Sequence, residues 1–352
     1  MKITAEYIRG FVDGEGSFTL SIQEKPRKTK KIQVLGMFGI TQSGEAGRRL
    51  LEGIRDFLQC GKVYSYDLTK ERRILVNRLF VFRIDDLITK IIPFLDAHPL
   101  ILKEEVYSIW KKAIAIIKAN SIESELPYNA LTEENMQTLF HLKLKMEELM
   151  PSARSPKHRR GRWRKHIKPN FPFILESVQR KKAMNIASEY IRGFVDAEGS
   201  FTLGISEKPR KTKKIQVVGM FAITQTGEKG RILLESIQKF LNCGAVYGPH
   251  VYNKKWKKYY NLFVFRIDDL LTKIIPFCDI HPPIVKAEVY AIWKKAIALL
   301  KMNSIESEVP FNALTEESMQ TLFQLKLEME ELMPSARSPK RRRGRWRKHI
   351  KS

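Results

Sequence analysis

The sequence contains few cysteines and no long apolar run, and each absence excludes a class of protein. Only three cysteines, Cys60, Cys243 and Cys278, occur among 352 residues, too few for the disulfide framework of a small secreted protein. No Cys/His cluster has zinc-finger spacing. No apolar stretch approaches the roughly 18 residues that span a bilayer, and the N-terminus lacks the charged-then-apolar layout of a signal peptide. We expect an intracellular protein of the cytoplasm, nucleoid or an organelle, not a secreted one.

Acidic residues are also scarce, since 38 Asp/Glu face 63 Lys/Arg and leave a net charge of +25. This imbalance predicts attraction to a polyanion, either a nucleic acid or, as a distant alternative, an anionic membrane surface. Two stretches, Pro151–Lys168 and Pro334–Ser352, hold eight and nine basic residues and no acid. Such runs suit contacts with phosphates rather than with bases, although a role in solubility or localisation stays open.

The chain is a tandem duplication, because a shift of 183 residues aligns it with itself without a gap and takes Asp13 to Asp196. A period this long indicates two whole domains and not a solenoid. We predict one domain with a basic tail over 1–168, a linker over 169–183 and a second such domain over 184–352. The linker, at most about 50 Å long when extended, would let the two domains associate as a pseudo-twofold pair.

Within each unit the hydrophobic periods alternate between those of helix and strand. The pattern predicts an α+β domain of order αββαββα, followed by extra helices. In the first unit the predicted elements are a helix over Tyr7–Asp13, strands over Ser17–Ile22 and Gln33–Gln42, a helix around Leu50–Leu58, two strands ending at Leu79–Ile84, a helix capped by Asp85 and continuing to Pro93, and helices near Ile101–Lys118 and Thr132–Leu149.

An acidic segment, "YIRGFVDGEGSF", occurs at Tyr7–Phe18 and, nearly unchanged, at Tyr190–Phe201. The pattern places its acids at the C-terminus of a helix, where the helix dipole makes a carboxylate unfavourable unless a cation compensates. Gly16 suits a left-handed helix stop. If two such helices cross at a pseudo-twofold axis, Glu15 and Glu198 lie close together and offer the oxygen donors that Mg²⁺ prefers. The alternative is a pair of ordinary surface acids.

The stretches "IRGFVDGEG" and "IRGFVDAEG" resemble the signature of the LAGLIDADG homing endonucleases, and the chain looks like a two-motif, single-chain member. The resemblance implies saddle-shaped antiparallel sheets on double-stranded DNA, motif helices paired between the domains, and a functional monomer that works as an intramolecular pseudo-dimer without a membrane partner. It implies site-specific cleavage of both DNA strands with Mg²⁺, whose place Mn²⁺ or Ca²⁺ could take. The implied metal ligands are Glu15, Glu198 and the carbonyls of Gly14 and Ala197. The best-known members have Asp where this chain has Glu15 and Glu198, so metal geometry can differ.

The resemblance also implies further catalytic residues. The stretches "ITQSGEAGRR" and "ITQTGEKGRI" resemble the end of the family's second strand, where a polar residue orients the attacking water. This implies Gln42 and Gln225, with Arg48 and Arg231 as the basic residues that follow. The segments "HPLILKEE" and "HPPIVKAE" imply functional lysines at Lys103 and Lys286, for which the alternative is a solvated helix start.

We expect the outward faces of the sheets to bind DNA, because a two-stranded ribbon fits the major groove; a solvated sheet face is the alternative. The candidates in the first unit are Ser17, Thr19, Ser21, Gln23, Lys25, Arg27, Lys31, Gln33, Tyr66, Arg72, Arg73 and Arg83. Those in the second are Ser200, Thr202, Ser206, Lys208, Arg210, Lys214, Gln216, His250, Tyr252, Trp256, Lys258 and Arg266.

One pair of equivalent segments has diverged completely. Ser65–Arg78 and Gly248–Asn261 share no residue, whereas their flanks are nearly identical. This contrast predicts hairpins that meet different bases, and hence a partly asymmetric target. The function that we predict is a site-specific double-strand DNA endonuclease, and the alternative is a non-cleaving nucleic-acid-binding protein such as an intron RNA maturase.

Overall fold

The chain divides into two compact units, Lys2–Ala183 and Met184–Ser352. The computed structural model describes residues 2–24, 32–67, 75–122, 131–150, 162–168, 171–172, 186–207, 215–251, 258–305 and 314–332. Within these ranges no helix is long and apolar enough to cross a membrane. The finer boundaries at 168 and 183 stay a prediction, and each unit is described by itself.

The first unit has the predicted αββαββα order, followed by two long helices. Its strands form one antiparallel sheet of order β1-β2-β4-β3. The elements are α1 Ala5–Glu15, β1 Gly16–Glu24, β2 Ile32–Ser43, α2 Gly44–Leu58, β3 Lys62–Asp67, β4 Leu75–Val81, α3 Ile84–Asp86, a π turn Leu87–Ile91, α4 Ile92–Ala97, α5 Glu104–Ile122, α6 Glu133–Leu149 and a 3₁₀ turn Arg162–His166.

The second unit repeats this architecture with a sheet of order β5-β6-β8-β7. Its elements are α7 Ser188–Glu198, β5 Gly199–Glu207, β6 Ile215–Thr226, α8 Gly227–Leu241, β7 Ala245–His250, β8 Tyr259–Val264, α9 Ile267–Asp269, a π turn Leu270–Ile274, α10 Ile275–Ile280, α11 Ala287–Ile305 and α12 Glu316–Leu332.

The predicted period of two in β1 is confirmed, because Phe18, Leu20 and Ile22 are buried and the residues between them are more exposed. Phe18 packs against Trp110 of α5, with ring centroids 5.2 Å apart. The indole Nε1 of Trp110 donates to the carbonyl of Thr19 at 3.2 Å. The helix therefore covers one face of the sheet, and the side chains of Ser17 and Thr19 belong to the opposite face.

Three local predictions were wrong. Gly16 is extended, at φ −67° and ψ 147°, and not left-handed; it is needed because a Cβ there would lie 2.6 Å from the carbonyl oxygen of Val12. Asp85 does not cap its helix, which begins at Ile84, and its carboxylate instead accepts from the ammonium of Lys118 at 2.7 Å. The helix runs beyond Pro93, with a π turn just before this proline, which has no N–H to donate.

The end of the first basic tail packs on α6, which the sequence analysis did not anticipate. Trp163 is buried and stacks on Phe140, with centroids 5.5 Å apart. Arg164 lies over the same indole and forms a salt bridge with Glu147. The turn Arg162–His166 thus has a structural role in addition to its positive charge. Residues 151–161 and 333–352 lie outside the described residues, so their predicted phosphate contacts stay predictions.

Candidate active site and nucleic-acid interface

The two acids at the end of α1 have different environments. Asp13 is buried, and its carboxylate accepts three backbone N–H groups, from Ile101 at 2.7 Å, Leu102 at 3.0 Å and Lys103 at 3.1 Å. These residues directly precede α5, where N–H groups lack helical partners. Asp13 therefore fixes the segment that carries Lys103 to the end of the motif helix.

The side chain of Lys103 returns to the same helix end. Its Nζ donates to the carbonyl oxygens of Val12 at 3.1 Å, Gly14 at 2.5 Å and Gly16 at 2.7 Å. These carbonyls carry the partial negative charge of the helix C-terminus. The ammonium is the compensating cation that an acidic helix end requires. Two of the carbonyls that it binds, those of Gly14 and Gly16, belong to the residues on either side of Glu15.

The second unit repeats the arrangement. The carboxylate of Asp196 accepts from the backbone of Ile284 at 2.6 Å, Val285 at 3.1 Å and Lys286 at 3.1 Å. The Nζ of Lys286 donates to the carbonyl of Val195 at 2.9 Å. Both predicted lysines thus lie at the ends of the motif helices, and neither is simply a solvated helix start.

The predicted glutamines lie at the same end of each sheet as the motif acids. Gln42 follows Ile40, the partner of Gly16, by two residues along β2. Gln42 therefore lies on the same face of the sheet as the buried Ile40, which is the face that the helices cover. Thr41 and Ser43 lie on the opposite face. Gln225 holds the corresponding place on β6.

The two arginines that follow are already paired. Arg48 forms a salt bridge with Glu52, and Arg231 pairs with Glu228 and Glu235. These contacts hold the arginines along the surfaces of α2 and α8, so a role near the reacting phosphate would require them to leave their partners.

No group of three or more His, Cys, Asp or Glu side chains that could hold a metal ion occurs in the described ranges. Each unit offers one half-buried motif acid, Glu15 or Glu198, beside the carbonyl of Gly14 or Ala197. Oxygen donors suit Mg²⁺, which is commonly held by one or two carboxylates together with substrate phosphates. The Gly14 carbonyl keeps a second lone pair beside the one that accepts from Lys103. The oxygen donors of each unit therefore fit a divalent ion whose coordination shell is completed by oxygens of the substrate.

The outward sheet faces carry many of the predicted DNA-binding residues. Ser17 and Gln23 are exposed, and Thr19 and Ser21 are partly exposed on the same face. In the second unit, partly exposed residues of the corresponding strands are Ser200, Thr202 and Gln216. Tyr66, Arg83, His250, Lys258 and Arg266 are exposed near the hairpins.

Other predicted residues are not described. Those outside the described residues are Lys25, Arg27, Lys31, Arg72, Arg73, Lys208, Arg210, Lys214, Tyr252 and Trp256. For Gln33 and Ser206 only the backbone of the strand is described. Their DNA contacts stay predictions.

Sequence reasoning missed the role of Asp13 and Asp196, which it treated only as part of the motif. A signal was available. A buried carboxylate at a helix end needs several hydrogen-bond donors, and each lysine segment directly precedes a helix, where backbone N–H groups lack helical partners. It also missed Arg78, which lies in the middle of the outward face.

One family model, described as "LAGLIDADG endonuclease", matches the chain twice, at residues 8–114 and 191–297. The chain belongs to the LAGLIDADG endonuclease family. Each match begins in a motif helix and ends within α5 or α11. The lysine segments that Asp13 and Asp196 anchor therefore lie inside the family domain.

Two curated relatives are similar over much of this LAGLIDADG chain. "Probable intron-encoded endonuclease 2" of Neurospora crassa is 25% identical over 319 residues, which cover 89% of this chain and 64% of the relative. "Probable intron-encoded endonuclease Cox1-I1b" of Schizosaccharomyces pombe is 27% identical over 251 residues, which cover 71% of this chain and 52% of the relative. The chain thus spans less than two thirds of either relative.

Solved structures share the fold at low identity. I-SmaMI bound to uncleaved DNA target in the presence of calcium ions is 21% identical, with a TM-score of 0.72, and the match covers 94% of this chain and 99% of that one. I-GzeII in complex with its DNA target is 22% identical, with a TM-score of 0.67 and coverage of 94% and 100%. The two tandem α+β domains are therefore the fold of single-chain LAGLIDADG meganucleases.

Proposed function

We propose that this protein is a site-specific double-strand DNA endonuclease that hydrolyses phosphodiesters at a long, partly asymmetric target with Mg²⁺. The observation that carries the proposal is the repeated arrangement at the two motif helices, where a buried aspartate anchors a lysine whose ammonium donates to backbone carbonyls of the helix end that carries Glu15 or Glu198. A chain of net charge +25 that keeps this acidic centre in both units is suited to cutting two strands of a polyanion.

Each unit would supply the same set of groups to one scissile phosphate. Glu15 or Glu198, with the carbonyl of Gly14 or Ala197, would hold the divalent ion. When bound, Mg²⁺ supplies an activated water and charge stabilisation for the leaving oxygen. The carboxylates thus act on the metal and contribute little to DNA affinity.

The remaining groups would act on the water and on the developing charge. Lys103 and Lys286 place an ammonium at the helix end, where it offsets negative charge that builds on the phosphate. Gln42 and Gln225 would orient the attacking water by hydrogen bonding. Water attacks phosphorus in line and forms a new P–O bond as the bond to the leaving oxygen breaks. The proton released by the water passes to solvent, and the leaving oxygen takes up a proton from solvent.

The cellular setting is part of the same proposal. Both curated relatives are named intron-encoded endonucleases, which supports a role in intron homing and an intracellular location. We propose that the chain acts as a monomer whose two units form a pseudo-dimer, since each unit carries one motif.

The test is Glu15→Gln and, separately, Glu198→Gln, each assayed on a supercoiled plasmid that carries the target. The target is first selected from a randomised DNA library by sequencing the wild-type cleavage products. Each variant should lose double-strand cleavage by more than about 100-fold, because it loses a metal ligand, while its affinity for target DNA in Ca²⁺ changes little.

The matched control is Glu148→Gln, which removes an exposed acid of α6 that pairs with Lys145 and should leave cleavage unchanged. Cleavage at the wild-type rate by either motif variant would overturn the roles given to the glutamates. Accumulation of nicked plasmid would show that the two units cut semi-independently. Wild-type binding without cleavage of any DNA would instead favour the maturase alternative.

A further inference from the structure

Arg78 lies in the middle of the outward face of the first sheet. It is on β4, an inner strand of the order β1-β2-β4-β3, and its cross-strand neighbours are Thr41 and Tyr64. Outward residues on these strands alternate with the buried Leu79 and Val81. An inner position favours contact with base edges, because a ribbon in the major groove brings its middle to the bases.

The guanidinium of Arg78 is oriented but not neutralised. Its Cζ lies 5.7 Å from the ring centroid of Tyr66, a cation–π contact. In the part of the chain that the structure describes, Arg78 forms no salt bridge, and its shielded Nε has no hydrogen-bond partner. An arginine that lies against an aromatic ring, and that pairs with no carboxylate of the described residues, keeps its planar fork available for another acceptor.

The equivalent position of the second unit is built differently. Asn261 pairs across the sheet with Thr224 and Tyr247, as Arg78 does with Thr41 and Tyr64. Asn261 is buried, and its Oδ1 accepts from the hydroxyl of Thr224 at 2.6 Å. The positive charge is absent, and the amide oxygen is committed to a neighbour.

One aromatic pair beside each position is alike. Tyr64 lies 6.2 Å from Phe80, and Tyr247 lies 5.8 Å from Phe263, centroid to centroid. The aromatic pairs are thus the same in both units, whereas Tyr66 and the other residues of the diverged hairpin differ along with the arginine. Arg78 and Asn261 therefore mark one inner-strand position at which the two units present different chemistry to a half-site.

We infer that Arg78 reads a guanine in the half-site of the first unit, and that Asn261 imposes no guanine at the related position of the other half-site. Arginine donates two parallel hydrogen bonds to guanine O6 and N7, the most frequent specific contact in the major groove. This inference rests on the proposed function and names one residue pair that contributes to the asymmetry of the target.

The experiment compares the base preferences of the wild type, Arg78→Asn, Arg78→Lys and Asn261→Arg in a library that randomises each target position. Binding in Ca²⁺ is measured alongside cleavage. In the wild type one position of the first half-site should favour guanine by about tenfold or more. Arg78→Asn should lose this preference, and Arg78→Lys should weaken it because lysine keeps the charge but not the fork.

Asn261→Arg is the decisive arm, because it should add a guanine preference at the related position of the second half-site. The positions that face the shared aromatic pairs serve as internal controls and should keep equal preferences in both half-sites. An unchanged base profile in Arg78→Asn, or an equal loss of affinity for all targets, would overturn the inference and mark Arg78 as a phosphate contact. If Asn261→Arg fails to fold, as its melting temperature would show, the two Arg78 variants still decide the question. Failure of the wild type to bind or cut any DNA would instead break the proposed function.

Discussion

The two units agree closely at the motif helices and differ at the hairpins. Asp13 and Asp196 hold their lysine segments through N–H···O distances that differ by about 0.1 Å or less between the units. By contrast, β3 and β4 pair without interruption, whereas the pairing of β7 with β8 is irregular between Tyr247 and His250. If both units carry out the same reaction, the contacts at the motif helices have to stay alike. If the two units bind unlike half-sites, the hairpins are free to differ.

The hairpins differ on their covered faces as well. Asn77 is buried and donates from Nδ2 to the carbonyl of Gly44 at 2.8 Å. The equivalent residue is Tyr260, and in the second unit the backbone N–H of Gly227 donates to the backbone carbonyl of Lys258 at 2.9 Å. The link between the hairpin and the start of the preceding helix, α2 or α8, is thus kept by different groups, which shows that divergence extends through the sheet.

The largest expected effect comes from breaking the feature that the units share. Asp13→Asn replaces a carboxylate that accepts three backbone N–H groups with a neutral amide. The NH₂ group of this amide would then face backbone N–H groups, which are also donors. Unfolding free energy should fall by about 2 kcal/mol or more, measured by urea denaturation. Because Lys103 is also released, cutting of one strand should slow, and Asp196→Asn should slow cutting of the other.

The strand assignment separates positioning from general loss of stability. A merely structural role would reduce the cutting of both strands equally, whereas a positioning role gives opposite nicked products in the two variants. Asp56→Asn is the control, because Asp56 is an exposed acid paired with Arg55. Adding Lys103→Met to Asp13→Asn should slow cleavage little further, since both changes disrupt the same contact network between the lysine segment and the motif helix.

A smaller effect is expected from the glycine that follows each motif. A Cβ at Gly16 would lie 2.6 Å from the carbonyl oxygen of Val12, and one at Gly199 would lie 2.7 Å from that of Val195. Gly16→Ala and Gly199→Ala should each lower unfolding free energy by about 1–3 kcal/mol, because a backbone atom must move. A loss confined to one variant would show that the helix-to-strand junctions are not equivalent. Gly44→Ala is the contrasting control, because nothing lies within 4 Å of its Cβ and its cost comes only from a φ of 75°.

The order of elements was predictable because local periodicity decides it. The alternation of Phe18, Leu20 and Ile22 with polar residues specifies a strand whatever lies far away in sequence. The role of Asp13 was not predictable in this way, since its partners are backbone groups about ninety residues further along the chain. Trp163 shows the same limit, because a tryptophan inside a basic run gives no sign that it packs on Phe140. Long-range contacts with backbone or with a single side chain leave no period to detect.

The smallest expected effect concerns the buried thiols. Burial raises the pKa of Cys60 and Cys243, at equivalent positions, to about 11. It raises the pKa of Cys278, which replaces the buried Leu95 of the first unit, to about 12. At pH 8 all three should be alkylated far more slowly in the folded protein than in denaturant, because thiolate is the reacting form.

Peptide mass spectrometry during alkylation should show similar rates for Cys60 and Cys243 and the slowest rate for Cys278. As the pH rises from the ordinary thiol pKa near 9 towards 11, the unfolded chain loses thiol protons first, so stability should fall over this window. Replacing all three cysteines with alanine should remove that part of the pH dependence. Fast labelling of Cys60 alone at pH 8 would show that the first unit opens at α2 while the second does not, and the close agreement of the two cores would then fail at this position.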